Sequence, residues 1–267
     1  MLTIRKFYVT SVVSAVVMCV GGLGCSGSSS PSSPSTTATT AAPATSSTTN
    51  GAPVINSVNV TPTFGVAALQ EHAFTSGASD PDEDTLTYRW EDSAGVLLSE
   101  AASFNHTFGN LASTVTETIT LTVQDADGLS TSSSVTVTAI SLNGVWVAEN
   151  RPSSRPGEHL FTVDLTMATG GAEDSLHGPT GLLTGTWQWP GTDIDSNPHQ
   201  EISVIGPEGE PGTVWAKGDV IWRQKSLIGC PCADSFFTGS VNETGTVLAG
   251  EFNESGFNHE TVRFVRP

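Results

Sequence analysis

Short runs in which apolar residues alternate with polar ones set the fold class of this chain. Ile119, Leu121 and Val123 alternate with threonines, and Val135 and Val137 do the same in the next run. A period of two puts successive side chains on opposite faces of a strand, so that one face of the sheet is buried. The 27 glycines and 15 prolines of the 267 residues suit turns better than helices. The sequence therefore predicts an all-β protein.

Residues 53–141 are predicted to form an Ig-like β-sandwich. Besides the two runs above, Val58 and Val60 share one face of a candidate strand, and Tyr88 and Trp90 share a face of another. Asp127-Gly128 separates the last two runs and is typical of a tight hairpin. Short strands with a Trp on a middle strand are typical of a β-sandwich.

Residues 142–267 are predicted to form a second, barrel-like domain. Glycine- and asparagine-rich turns separate its candidate strands, which favours an up-and-down barrel that closes and so leaves no sheet edge. The interior of an eight-stranded barrel is either filled by side chains or wide enough for one small ligand. The eight candidate strands are 144–148, 159–167, 181–189, 201–205, 213–222, 235–241, 247–252 and 260–265.

The chain begins with the layout of an export signal. Arg5 and Lys6 precede an apolar stretch at 7–20, which is too short for a transmembrane helix. Residues 1–24 are therefore predicted to be a signal peptide. After Cys25, residues 26–50 contain only Ser, Thr, Ala, Pro, Gly and Asn. Such a composition cannot bury enough apolar surface to offset the entropy of ordering, so 25–52 is predicted to be a disordered linker.

The segment 22–25 resembles the lipobox of bacterial lipoproteins, with Gly22 where that family usually has an aliphatic residue. The resemblance implies that Cys25 is lipidated, and that the protein is exported and anchored in the cell envelope through its acyl chains. With Ser26 in the next position, it implies the outer membrane in a cell that has two membranes. The alternative is ordinary cleavage near residues 24–26, which would give a freely secreted protein.

Two further resemblances concern the folded regions. The runs 79–90, 106–108 and 121–128 resemble the PKD and cadherin-like Ig modules of bacterial surface proteins, although the chain departs from the PKD pattern after Trp90. This resemblance implies a spacer, adhesion or glycan-contacting module. The segment 142–146, Leu-Asn-Gly-Val-Trp, resembles the start of lipocalin- and avidin-like barrels. It implies architecture only, and no ligand residue.

Alternating carboxylates suggest a calcium site. Asp80, Asp82 and Asp84 occupy every second position of one loop, and Asp125 and Asp127 follow a later strand. Calcium takes several oxygen ligands in flexible geometry, so carboxylates from both loops form a candidate site. The alternative is a solvated acidic loop in which Asp and Pro serve turn geometry. No other cofactor is predicted.

Two more features of the barrel region are candidates for chemistry. Cys230 and Cys232 flank one proline, and alternate positions fall at the upper end of the Cα separation that a disulfide allows. Free or intermolecular thiols, or a metal site, are the alternatives. Trp146 and Trp187 are predicted to lie in the core. Trp189 precedes Pro190 at a strand end and is a candidate ligand contact at the barrel rim.

Charge and missing motifs narrow the function. The 27 acidic residues outnumber the 10 Lys plus Arg, and the net charge of −17 repels nucleic acid. The sequence has no nucleophile elbow, phosphate loop or His-Glu-x-x-His motif, and its six histidines are scattered. We therefore expect no enzyme, but a membrane-anchored binding or adhesion lipoprotein. Its sandwich would be a spacer, and its barrel would bind a small apolar molecule, a glycan or a protein. The alternatives are a structural envelope protein with a filled barrel and a carboxylate-dependent glycoside hydrolase.

Overall fold

The computed structural model describes residues 49–150, 161–172, 176, 178–192, 198–205, 212–226, 235–254 and 260–267. Thr48–Pro267 forms one compact unit. The regular elements within the described ranges are all β-strands. In this part of the chain, no helix has the length and apolar character needed to span a membrane.

The first eight strands form a sandwich of two sheets. One sheet has the order β1-β3-β6, and the other has the order β2-β8-β7-β4-β5 with β2 parallel to β8. The strands are β1 (Val54–Thr61), β2 (Phe64–Val66), β3 (Glu71–Ser79), β4 (Thr87–Glu91), β5 (Leu97–Ser99), β6 (Ser103–Thr107), β7 (Val115–Gln124) and β8 (Ser130–Ile140).

Trp90 is at the centre of the sandwich core. Its ring lies 5.5 Å from that of Phe104 and 5.9 Å from that of Phe74, centroid to centroid. The indole Nε1 donates a hydrogen bond of 2.9 Å to the carbonyl of Ala101, so that burial leaves no polar atom of this side chain unpaired. Ile119, Leu121 and Val123 of the neighbouring β7 are fully buried in the same core, as the alternation predicted.

The remaining nine strands form one closed antiparallel barrel. β9 pairs with β10 on one side and with β17 on the other, and this closes the circuit. The strands are β9 (Gly144–Ala148), β10 (Thr162–Thr169), β11 (Thr180–Thr192), β12 (Pro198–Ile205), β13 (Gly212–Trp215), β14 (Asp219–Ser226), β15 (Ser235–Val241), β16 (Val247–Glu254) and β17 (Glu260–Val265).

One strand prediction was wrong, although the all-β sandwich-plus-barrel fold is confirmed. The predicted strand 213–222 is two strands, β13 and β14, which pair with each other across a turn at 216–218. Gly218 has φ +99° there, a backbone conformation that favours glycine. The alternation continues through this turn, so the sequence pattern hides it. β12 and β13 pair with successive parts of β11, and together they fill one position of an eight-stranded circuit.

The sandwich closes one end of the barrel. The apolar segment 64–70, which includes β2, inserts Val66 and Leu69 into the barrel core, where they are 0% and 6% exposed. The backbone N–H of Val66 donates to the carbonyl of Ala216 at 2.8 Å. A Cβ on Gly65 would lie 2.3 Å from Gln70 Cγ and 3.2 Å from Ala216 O, so this close approach requires glycine. We call this the sandwich end of the barrel, and the opposite end the far end.

Arg266 fixes the connection between the two regions. Its guanidinium lies 4.3 Å from the ring centroid of Trp146 and donates to the carbonyls of Ser141, Asn143 (2.9 Å) and Gly245 (3.2 Å). Burial lowers the pKa of Arg266 from its ordinary value. Since its charge is desolvated, the three carbonyls and the ring face provide the compensation that water would otherwise give.

The side chain of Asn143 fixes the same connection from the other side. Its Nδ2 donates to the carbonyl of Leu111 at 2.8 Å, and its Oδ1 accepts from the backbone N–H of Met167 at 2.6 Å. Asn110 Nδ2 also donates to the carbonyl of Met167, at 3.0 Å. A connection with this many specific bonds holds the sandwich and the barrel in one arrangement.

Two histidines make the sandwich sensitive to acid. His72 and His106 lie opposite each other on β3 and β6, with their rings against Phe108, and His72 Nδ1 is 2.8 Å from the carbonyl oxygen of Pro62. Burial is the main cause that lowers the pKa of both histidines. The unfolded chain then binds more protons, so the free energy of unfolding should fall as the pH drops below the ordinary histidine value of 6.5.

Urea unfolding at pH 7.5 and pH 5.5 measures this dependence. In the unchanged chain, the free energy of unfolding should be lower at pH 5.5 than at pH 7.5. We expect this difference to be much smaller in the double variant His72→Phe/His106→Phe, because it has no imidazole to protonate at these two positions. An undiminished decrease in the double variant would contradict the assignment to these histidines.

Candidate ligand site in the barrel

Stacked aromatic rings occupy the described interior of the barrel. Trp187 lies between Phe161 and Phe252, with centroid distances of 4.5 and 5.4 Å. Phe264 meets Trp187 edge-on at 5.6 Å, and it meets Phe237 in the same way at 5.6 Å. Aromatic pairs at these separations add stability beyond the area that they bury.

The four tryptophans that are fully buried differ in their hydrogen bonding. Trp90 is paired as described above, and Trp146 Nε1 donates to the carbonyl of Leu142 at 3.0 Å. Trp187 and Trp222 are each 1% exposed, and the Nε1 atom of each has no hydrogen-bond partner. A buried donor without a partner costs about 1–3 kcal/mol. The prediction that Trp146 and Trp187 lie in the core is confirmed, but the unpaired donors are not visible in the sequence.

The two unpaired donors lie on β11 and β14, which both pair with β12 and β13. Trp222 is stacked on Phe237 at 4.2 Å and is separated along β14 from the turn that contacts Val66. Trp187 is past the middle of β11 and lies opposite Val163 of β10. The two indoles belong to one continuous ring cluster, because Phe264 contacts both Trp187 and the ring on which Trp222 stacks.

Among the described residues, the fully buried part of the barrel interior carries no formal charge, and Glu260 lies half-buried at its edge, on the same face of β17 as Val262 and Phe264. The buried polar side chains of this interior are Thr180 and Ser235, and the hydroxyl of Thr180 donates to the carbonyl of Ala172. A charged group in this buried part would meet rings, aliphatic chains, two hydroxyls and two indole donors, and the cost of desolvating it would not be repaid. This interior therefore suits a neutral molecule.

The five candidate calcium ligands come together at the end of the sandwich away from the barrel. Asp125 Oδ2 accepts from Asn50 Nδ2 at 3.0 Å, and Asp82 Oδ2 accepts from the backbone N–H of Gly51 at 2.7 Å. The start of the described chain thus ties both acidic loops together. Loop-internal bonds to the Oδ1 atoms of Asp80 and Asp125 shape the two turns.

Crowding of these carboxylates is evident at Asp84. Its pKa is raised above the ordinary value, first by desolvation and then by the charges of Asp80, Asp127, Asp125 and Asp82. Among the described residues, no group of three or more His, Cys, Asp or Glu side chains is placed to hold a metal ion. Calcium binding stays a prediction. A glycoside hydrolase with its site in the barrel would need a carboxyl group of raised pKa there. Asp84 lies in the sandwich, so its raised pKa does not support that alternative.

Thermal unfolding in the presence of calcium tests that prediction. A bound cation would relieve the repulsion among the five carboxylates, so calcium should raise Tm, whereas magnesium, which demands strict octahedral geometry, should not. The variant Asp84→Asn should reduce the increase. Equal Tm values in calcium and in a chelator would exclude the site.

The structure does not describe the side chains of the remaining candidate residues. Cys25, Cys230 and Cys232 lie outside the described residues, so lipidation and the disulfide stay predictions. Trp189 lies in β11 opposite Glu201, but its side chain is outside the described part. Its role as a rim contact is therefore untested.

Comparison with known proteins gives little beyond this geometry. No protein-family model and no curated protein matches the chain. A solved structure from a study of the promiscuous specificity of carbohydrate-binding modules of the β-sandwich superfamily is 18% identical, covers 82% of this chain and 86% of its own, and has a TM-score of 0.32. A similarity of this extent does not identify a ligand.

Proposed function

We propose that this protein is a non-catalytic binding protein whose barrel takes a small molecule through its far end. The observation that carries this proposal is the contrast between the two parts of the barrel interior. At the sandwich end, Val66 and Leu69 close the core. In the aromatic ring cluster of the same interior, two buried indole donors have no partner. A protein core with two such donors in one ring cluster is incompletely satisfied, which favours a binding role.

The chemistry of the described interior supports binding rather than catalysis. General acid–base or nucleophilic catalysis needs a titratable group beside the reacting atoms. The buried polar side chains of the described barrel are a threonine and a serine, and neither has an adjacent buried base. The interior offers ring faces and hydrogen-bond donors, which bind and orient a molecule but do not move its protons.

A titration of the soluble chain from Thr49 tests binding. Because five of the six tryptophans follow residue 141, intrinsic fluorescence reports mainly on the barrel. We expect a saturable change with the neutral apolar probe N-phenyl-1-naphthylamine, and no change with a panel of short glycans. A response to glycans alone would place recognition on the outer surface of the protein.

A structural envelope protein is the second candidate, and the stacking of Phe161, Trp187 and Phe252 favours it. In that case the rings are the final packing of the barrel, and the protein has no small-molecule ligand. A flat fluorescence response to every probe would support this candidate and exclude the first.

The proposed location is the cell envelope, with Cys25 lipidated and residues 26–52 acting as a flexible tether. The lipobox-like segment and the uncharged linker support it. Two or more acyl chains anchor a protein stably, whereas one gives only reversible binding. The sandwich would then be a rigid base for the barrel rather than a jointed spacer.

Replacing the lipidated residue tests this location. Cys25→Ser should move the protein from the membrane fraction to the soluble extracytoplasmic fraction. Cys19→Ser, in the apolar part of the signal, is the matched control and should leave the protein in the membrane. Membrane association that persists in Cys25→Ser would contradict lipid anchoring.

A further inference from the structure

We infer that the barrel ligand is a neutral, mostly apolar molecule with one or two accepting oxygens, which receive hydrogen bonds from the Nε1 atoms of Trp187 and Trp222. This inference rests on the proposed function and specifies its ligand. Both indoles are 1% exposed and both Nε1 atoms are unpaired. The indole N–H is only a donor, so its partner must supply a lone pair.

The other two fully buried tryptophans do have hydrogen-bond partners, so the lack of a partner is specific to Trp187 and Trp222. Trp90 and Trp146 are as deeply buried, and each donates to a backbone carbonyl within 3.0 Å. The chain therefore pairs its indoles wherever a carbonyl is near. Trp187 and Trp222 lie on β11 and β14, whose backbone carbonyls are engaged in the ladders with their neighbours. An acceptor for these two donors comes most directly from a bound molecule.

The surroundings of the donors limit the number of oxygens. Each hydroxyl or carbonyl that enters this interior loses water and needs a protein partner. Aromatic rings cover the indoles: Phe161 and Phe252 stack on Trp187, and Phe237 stacks on Trp222. A sugar would leave most of its hydroxyls unpaired and would find these indole faces already covered. A ketone, an ester or a quinone-like molecule has few oxygens, and each of those oxygens can accept a hydrogen bond from an indole N–H.

The ligand is inferred to be uncharged because of the side chains that surround the two donors. The described buried residues of the barrel include no charged side chain that could pair with an ionised ligand. A fatty acid carboxylate would therefore be desolvated without compensation, and the half-buried carboxylate of Glu260 at the edge of the interior would repel it. The uncharged carbonyl is the acceptor that costs least to bring into this site.

The test uses two bicyclic probes that differ in one carbonyl, 1-tetralone and tetralin. The full chain, purified in detergent and labelled with ¹⁵N-tryptophan, gives separate indole N–H signals, which Trp187→Phe and Trp222→Phe assign. We expect 1-tetralone to move the signal of Trp187, Trp222 or both downfield, and to bind roughly tenfold more tightly than tetralin, as one hydrogen bond provides. The signals of Trp90 and Trp146 should not move downfield.

The variants separate a hydrogen bond from a packing effect. Trp187→Phe and Trp222→Phe keep a ring but remove the donor, so the preference for 1-tetralone should shrink toward equal affinity. Trp146→Phe is the control, because its donor is already paired with Leu142; the preference should persist there. If one of these variants fails to fold, Trp→Phe variants of the other tryptophans assign its signal by elimination, and the downfield shift in the unchanged chain decides.

Two results would overturn the inference. Equal affinity for the two probes without a downfield shift would show that binding is purely apolar, which leaves the proposed function standing. Failure of both probes to bind, together with indole protons of Trp187 and Trp222 that exchange rapidly with water, would assign the donors to water and would count against the proposed function as well.

Discussion

Replacing Val66 by aspartate should lower the free energy of unfolding of the whole unit Thr48–Pro267 by about 3–5 kcal/mol. Val66 belongs to the sandwich sequence but is fully buried in the barrel core, beside the turn that contains Ala216. A carboxylate there has no cation to pair with it among the buried residues of the described core. Urea unfolding, followed by the barrel tryptophans, measures the loss.

Val54→Asp is the matched control for this prediction. Val54 lies on β1 of the same sandwich, but it is 47% exposed. A new charge at that position stays in water, and the free energy of unfolding should change by less than about 0.5 kcal/mol. If Val66→Asp destabilised the sandwich while the barrel tryptophans kept their unfolding midpoint, the barrel would not depend on the segment that closes it.

Phe264→Ala should be nearly as damaging, with a loss of about 3–5 kcal/mol. The ring of Phe264 joins the two stacks of the barrel interior, since it contacts Phe161, Trp187 and Phe237 edge-on. Its removal leaves a cavity that three rigid rings cannot easily fill. The near-ultraviolet circular dichroism of the tryptophans should weaken as their packing loosens.

Phe236→Ala is the control for the ring cluster. Phe236 precedes the buried Phe237 on β15, but it is 42% exposed and its ring faces Arg223 at 5.7 Å. Loss of one exposed cation–π contact costs about 0.5–1 kcal/mol. Equal losses for Phe264→Ala and Phe236→Ala would contradict the claim that the interior rings hold the barrel together.

The alternation of apolar and polar residues was sufficient to predict most of the fold. It identified β7 and β8 and the closed barrel, because half-buried antiparallel strands impose a period of two on the sequence. It could not show the turn at 216–218, where the alternation runs on through a chain reversal. It also could not show that segment 64–70 enters the barrel, because an apolar run without a period does not reveal which core it joins.

The candidate site was only partly predictable, for a different reason. The burial of Trp187 follows from the parity of its strand. Whether an indole N–H finds an acceptor depends on which carbonyl is near in space, and only the folded structure shows that Trp146 has one and Trp222 does not. The gathering of the five aspartates could be predicted from two acidic loops, but the spatial arrangement of their oxygens could not.

The role of the chain end was likewise not predictable. Arg266 is one of the 10 Lys plus Arg residues of an acidic chain, and no pattern in the sequence around it indicates its partners. In the structure it reaches the carbonyls of Ser141 and Asn143, more than 100 residues earlier. Pairing over such a separation is a property of the closed barrel, whose last strand returns beside its first.

The measurement that tests the central claim most directly is calorimetric unfolding of the chain from Thr49 to Pro267. If the sandwich closes the barrel and shares its core, the two regions unfold together. We then expect one transition whose calorimetric enthalpy equals its van't Hoff enthalpy. Two separated transitions, with the tryptophan fluorescence of the barrel following only one of them, would show independent domains and contradict the account.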